Sequence, residues 1–184
     1  MKLLAALAAV LCAAAAAAPR GAAKSGLKPG DPAPLFTTQE DSGATFSLES
    51  RRGKWTVLYF YPKSGTPGCT KQACVFRDAL AGIRGLGAEI YGVSKDSLEA
   101  QRKFKTKHHL NFSLLADEAG DVISAYGTKG MLGMSKRWTF LIDPELTVRW
   151  VEKDVDPASD AQRVAAELTR LQNAQKSSTS KEKP

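Results

Sequence analysis

Trp55-Thr-Val-Leu-Tyr-Phe-Tyr-Pro-Lys-Ser-Gly-Thr-Pro-Gly-Cys69 is the stretch that decides the fold. Its first seven residues form a continuous β-branched and aromatic run, which predicts a strand buried on both faces of a sheet, and Pro62 ends it. A loop containing Gly65, Pro67 and Gly68 follows. From Cys69 onward Ala73, Phe76, Leu80 and Ile83 recur at helical spacing, and Gly85 and Gly87 act as stops, so residues 69–83 are expected to be a helix.

The alternation continues outward. Residues 89–93 and 112–115 have strand character, residues 98–109 and 121–126 helical character. Residues 138–142 and 147–151 are strands separated by Asp143-Pro-Glu145, a tight connection that favours an antiparallel hairpin, and residues 158–171 form a closing amphipathic helix. Upstream, Gly-, Pro- and Thr-rich residues 25–46 carry a turn signal at Asp41-Ser-Gly43 and predict an N-terminal hairpin. Strands alternating with helices, then a terminal hairpin with a packing helix, describe an α/β sandwich with a mixed sheet and not a closed barrel. A thioredoxin-like architecture is one member of that class.

A length of 184 residues with 43% apolar content supports one sizeable core and would crowd two. Met-Lys, then an apolar, alanine-rich run over residues 3–18, then Pro19-Arg20-Gly21, has the layout of a secretory signal peptide. The competing reading, an uncleaved membrane anchor, meets a run shorter than the roughly 20 apolar residues a bilayer needs. Leu11 precedes Cys12 where a lipid-attachment site needs a small residue, and the Arg- and Ser-rich character of a transit peptide is missing. Export to a bacterial periplasm is the expectation, with residues 1–18 as signal peptide, 19–27 as linker, 28–172 as one domain and 173–184 as a disordered basic tail. No stable membrane insertion is expected after cleavage.

The formal charge of +7 includes Lys2 and the tail lysines Lys176, Lys181 and Lys183, and the remaining excess is spread along the chain. No basic stripe or nucleic-acid-reading motif accompanies it, so nucleic-acid binding is not expected. Adjacent His108 and His109 fall on different faces of a Lys-rich helix with no third ligand spaced to join them, and are read as solvated surface. Trp138, Phe140 and Trp150 are read as core or pocket wall. Arg77-Asp78 is either a structural ion pair or support for a site.

Removing Cys12 with the signal leaves Cys69 and Cys74. A cysteine in the first turn of a helix faces free backbone N–H groups and the positive end of the helix dipole, which favour its thiolate, the nucleophilic form. Pro62 and Pro67 restrict the preceding loop, and Thr66 offers a hydroxyl three residues before the sulfur, so a substrate oxygen could be held between hydroxyl, thiolate and backbone N–H. The chemistry also needs a fixed cation. Arg137, at the mouth of the 138–142 strand, is the candidate because it does not deprotonate.

The pattern Pro62-x-x-x-Thr66-x-x-Cys69 resembles the peroxidatic motif of the peroxiredoxins. Tyr59-Phe-Tyr-Pro-Lys63, Thr66-Pro-Gly-Cys-Thr70, Ala73-Cys74 and Phe76-Arg-Asp78 are similar to the bacterioferritin comigratory protein, or peroxiredoxin Q, branch. The likeness extends over residues 28–171 and includes Gly30-Asp-x-Ala-Pro-x-Phe36, Gly92-Val-Ser94, Tyr126-Gly-Thr128 and Arg137-x-Thr-Phe-Leu-Ile-Asp143. It implies a thioredoxin-like fold with a mixed central sheet, flanking helices and an N-terminal β-hairpin extension. It also implies a monomer, a hydroperoxide substrate, a thioredoxin-like dithiol reductant and no metal or organic cofactor. Cys69 would be the peroxidatic residue, Thr66 and Arg137 would position substrate, and Pro62 would shield the thiolate. Cys74 stands where many members of the branch carry a resolving cysteine.

Helix geometry attaches a condition. Five residues along an intact helix separate two Cα atoms by about 8.7 Å on faces about 140° apart, beyond the roughly 7 Å a disulfide tolerates. The first turns must unwind before the bond forms. Three other readings stay open at this level: a static disulfide, a thiol-disulfide oxidoreductase, which usually has two residues rather than four between its cysteines, and a redox sensor without turnover.

Overall fold

The computed structural model describes residues 26–181, without the side chains of 178–181; the expected signal peptide, residues 19–25 of the expected linker, Cys12 and residues 182–184 lie outside the described residues. In chain order the elements are β1 (Thr37–Glu40), β2 (Thr45–Ser47), β3 (Trp55–Phe60), α1 (Pro67–Gly85), β4 (Ala88–Ser94), α2 (Leu98–His108), β5 (Ser113–Ala116), α3 (Asp121–Ala125), β6 (Trp138–Ile142), β7 (Val148–Glu152) and α4 (Asp160–Lys181). The seven strands form one mixed sheet in the order β2-β1-β5-β4-β3-β6-β7. Its parallel centre is β3, β4 and β5, and antiparallel strands flank it on both sides.

Every residue of β3 is buried, as the unbroken apolar run predicts. Val57 and Tyr59 join a core with Phe76, Leu80 and Ile83 of α1 and Val164 and Leu168 of α4. Leu58 and Phe60 point the other way, into a core with Phe46 from the N-terminal hairpin and Val122 and Ile123 of α3. Two-sided burial is what a central strand with crossover helices requires. Tyr59 lies opposite Gly92 of β4, and a Cβ at Gly92 would come within 2.6 Å of the Tyr59 hydroxyl. Glycine in Gly92-Val-Ser is therefore a packing requirement of the tyrosine.

The antiparallel pairing of β6 with β3 sets Phe60 beside Trp138. The start of β6 thus meets the end of β3, and Arg137, one residue before β6, is brought to the start of α1, which carries Cys69. Residues distant in sequence converge because of this register.

The stretch from Asn173, expected to be disordered, is helical as far as Lys181. Extending a formed helix fixes one residue per added hydrogen bond, and nothing in 173–181 is Gly or Pro. Gln172 also ties α4 down, donating to the Leu86 carbonyl at 2.6 Å. Arg77 pairs with Asp78 at 2.8 Å and donates to the His108 carbonyl at 2.9 Å, a clamp between α1 and the end of α2. The His108 ring packs against Phe104, and His109 adopts the left-handed conformation that ends α2. Phe140 is fully buried, and Trp150 packs partly buried against the α1 side of the core. No described helix is long and apolar enough to cross a membrane.

Candidate active site

The loop from Pro62 to Thr66 is held from both sides before it delivers Cys69. Tyr61 donates to Gln101 Oε1, and Gln101 Nε2 donates to Ser94 Oγ at 2.9 Å and to the Leu115 carbonyl at 3.1 Å. The Ser64 N–H donates to Asp96 Oδ2 at 2.7 Å, and Ser94 Oγ donates to the same oxygen at 2.8 Å. Gly65 turns the loop with φ of +79°, a conformation that side chains with a Cβ disfavour. Pro62 is half-buried at the start of this loop.

Thr66 is the N-cap of α1, and Pro67 occupies the first helical turn, where a missing N–H costs nothing. The first intrahelical bond runs from the Thr70 N–H to the Thr66 carbonyl at 2.9 Å. The N–H groups of Gly68 and Cys69 precede it, so they belong to the unpaired donors of a helix start. The Thr66 hydroxyl donates to the Lys63 carbonyl at 3.0 Å. With its proton used there, Thr66 can only accept a hydrogen bond, which suits the O–H of a hydroperoxide.

Cys69 is 1% exposed. Its sulfur receives a hydrogen bond from Arg137 Nη2 at 3.3 Å, and Arg137 Nη1 donates to Gln72 Oε1 at 2.6 Å. Gly68 permits this approach, since a Cβ there would stand 3.2 Å from Arg137 Nη2. Tyr59, stacked on Phe76 with ring centroids 4.8 Å apart, is part of the same buried cluster as Cys69. Burial first, then the neighbouring Tyr61 and Cys69, push the Tyr59 hydroxyl well above its ordinary pKa, so it stays protonated.

Cys74 is half-buried on the same unbroken helix, and both thiols are free. Of the five residues singled out from sequence, Cys69 and Arg137 are in direct contact, Thr66 caps the helix that carries the sulfur, Pro62 opens the loop, and Cys74 stands apart. Two residues were missed. Gln72, three positions after Cys69 on a helix, shares its face, and that spacing could have marked it. Asp160 accepts from Gln72 Nε2 at 2.6 Å and lies at the start of α4, where no sequence signal pointed.

Residues 29–151 match the AhpC/TSA family. The chain is 43% identical over 136 residues to a Coxiella burnetii protein named as a bcp-type peroxiredoxin, covering 69% of this chain and 90% of that one. It is 39% identical over 124 residues to a chloroplastic peroxiredoxin Q of Oryza sativa subsp. japonica, covering 66% of this chain and 57% of the plant protein. Among solved structures, peroxidoxin BcpB of Mycobacterium tuberculosis superposes with a TM-score of 0.74 at 33% identity, covering 79% of this chain and 98% of that one. Peroxiredoxin Q of Xanthomonas campestris superposes with a TM-score of 0.70 at 32% identity, covering 73% and 90%. With the helix-start cysteine, the arginine against its sulfur and the mixed sheet beneath them, these matches make the chain a member of the AhpC/TSA family, of the bacterioferritin comigratory protein or peroxiredoxin Q type.

Proposed function

We propose that Cys69 is the peroxide-reducing thiol of this peroxiredoxin and Cys74 its resolving partner. The observation that carries the reading is the Arg137 guanidinium, 3.3 Å from the Cys69 sulfur at the start of α1. In the first step the Cys69 thiolate attacks the distal oxygen of a hydroperoxide. The S–O bond forms as the O–O bond breaks, sulfur is oxidised to sulfenic acid, and the leaving oxygen takes a proton to become water or alcohol. Negative charge moves from sulfur to the leaving oxygen. A guanidinium fixed beside the sulfur, with the unpaired N–H groups of the helix start, suits that moving charge at little cost of reorganisation. Thr66 accepts from the peroxide O–H and Pro62 limits access of water.

In the second step the Cys74 thiol displaces hydroxide from the sulfenic sulfur, which leaves as water, and an external dithiol then reduces the disulfide. Because both cysteines lie on one continuous helix, the first turns of α1 must unwind in between. No cofactor is needed for any step. The chain acts as a monomer under this reading, without stable membrane insertion.

We also propose export to a bacterial periplasm, supported by residues 1–21 alone. The reductant is then a thioredoxin-like dithiol protein of that compartment. The N-terminal mass of protein recovered from a periplasmic fraction tests this, and a chain retaining residues 1–18 would refute it.

Intact mass after one equivalent of hydroperoxide tests the thiol assignments. The expected product is two hydrogens lighter than the reduced protein, with both thiols blocked to alkylation. Cys69→Ser should leave the mass and the peroxide unchanged, and Cys74→Ser should gain one oxygen. Peroxide consumption by Cys69→Ser at the parent rate would overturn the assignment.

A further inference from the structure

Arg137 is not the end of its hydrogen-bond chain. Gln72, which accepts from Arg137, donates to Asp160 Oδ2 at 2.6 Å, and Thr139 Oγ1 donates to the same oxygen at 2.8 Å. Gln72 and Thr139 are fully buried and Asp160 is 1% exposed. Asp160 Oδ1 is buried with no hydrogen-bond partner among the described residues. A carboxylate taken out of water with one oxygen unsatisfied works against stability. The capping of α4 does not explain it. Both bonds that Asp160 accepts come from side chains, and among the described residues none comes from an N–H of α4; the turn before the helix is held by Asp156, which accepts from the Ala158 N–H at 3.1 Å and from Ser159 Oγ at 2.8 Å.

We propose that Asp160 is a positioning residue of the peroxidase site, acting on Cys69 through Gln72 and Arg137. A guanidinium only donates and a carboxylate only accepts. An amide set between them has one orientation that satisfies both, its oxygen toward Arg137 and its nitrogen toward Asp160. Without the carboxylate, the Gln72 amide is free to turn its NH2 toward the guanidinium, and Arg137 loses the acceptor that aims Nη2 at the sulfur. The inference rests on the reading of Cys69 as the peroxide-reducing thiol.

A second consequence follows from where Gln72 stands. It lies between Cys69 and Cys74, inside the segment that unwinds for the disulfide. Unwinding breaks its bonds to both Arg137 and Asp160. The same chain of contacts that readies Cys69 for peroxide therefore holds the segment shut, so Asp160 speeds oxidation and slows resolution.

The test is a double-substitution cycle on the full chain with hydrogen peroxide, following Cys69 oxidation and disulfide formation separately. Asp160→Ala and Gln72→Ala should each slow oxidation by about tenfold or more, the scale of a small misplacement of a catalytic group, and each should speed disulfide formation. The double variant should be no slower in oxidation than Gln72→Ala alone, because Asp160 acts through Gln72. Additive losses, or a loss of both rates in Asp160→Ala, would overturn the proposal and leave Asp160 a structural residue of α4. If Asp160→Ala does not fold, Gln72→Glu and the double variant Gln72→Glu/Asp160→Asn take its place. Two facing carboxylates should slow oxidation in the first. In the second, the amide introduced at position 160 can donate to the carboxylate introduced at position 72 and should restore the rate; no recovery would overturn the proposal. Failure of the parent protein to oxidise at Cys69 at all would instead refute the reading of Cys69.

Discussion

The two halves of α1 are held in the protein by different means. From Phe76 to Ile83 the buried positions are Phe76, Leu80 and Ile83, all large and apolar. From Pro67 to Cys74 they are Cys69, Gln72 and Ala73, a thiol, an amide and a methyl group. Fully burying a large apolar side chain is worth about 1.5 to 3 kcal/mol, so the second half is anchored by several such contributions. The first half has few of them and relies on the directional bonds of Gln72, which accepts from Arg137 and donates to Asp160. A helix anchored in this way unwinds from its start without releasing its end. The proposed disulfide between Cys69 and Cys74 requires that, since five residues along an intact helix set two Cα atoms too far apart for the bond.

The largest effect that separates the halves should come from Phe76→Ala. It removes a ring stacked on Tyr59 and should cost about 3 to 5 kcal/mol in global stability. Ala73→Gly, in the other half, removes one methyl and adds backbone freedom, and should cost about 1 kcal/mol. Denaturant midpoints at unchanged m-value measure both, and comparable losses would contradict the division.

How much of this was legible beforehand follows the range of the interactions. The β3 run and the helical spacing of Ala73, Phe76, Leu80 and Ile83 are local patterns, and both appear where they were expected, with α1 starting two residues early, at Pro67, so that Cys69 lies in its first turn. Arg137 was reachable because it precedes a recognisable strand. Asp160 was not, because its contact with Gln72 depends on how α4 crosses α1 and nothing local marks it. The helix beyond Leu171 was missed for the opposite reason: composition argued for disorder, while an already formed helix extends through residues that would not start one.

An effect of intermediate size should appear on oxidation. Backbone amides in residues 66–78 should exchange faster in the disulfide form than in the reduced form, while those of 79–85 keep their protection. Cys74→Ser, which stops at the sulfenic acid, should show no such loss. Faster exchange through the whole helix, or none, would show that the halves do not act independently.

The smallest effect should come from strengthening the half that must open. Thr70 is half-buried in the second turn, one residue after Cys69. Thr70→Ala gains about 0.5 kcal/mol of helix propensity, because alanine loses no side-chain rotamers on entering a helix. That gain is present in the wound segment and absent in the unwound one, so it adds directly to the free energy of opening. Disulfide formation should slow about twofold after a pulse of peroxide, and the cysteine that waits longer as sulfenic acid should be caught more often by a second peroxide and overoxidised. Rapid-quench alkylation gives the disulfide rate, and mass spectrometry of Cys69 gives the overoxidised fraction. If disulfide formation keeps its rate, opening of the first turns is not the step that governs resolution.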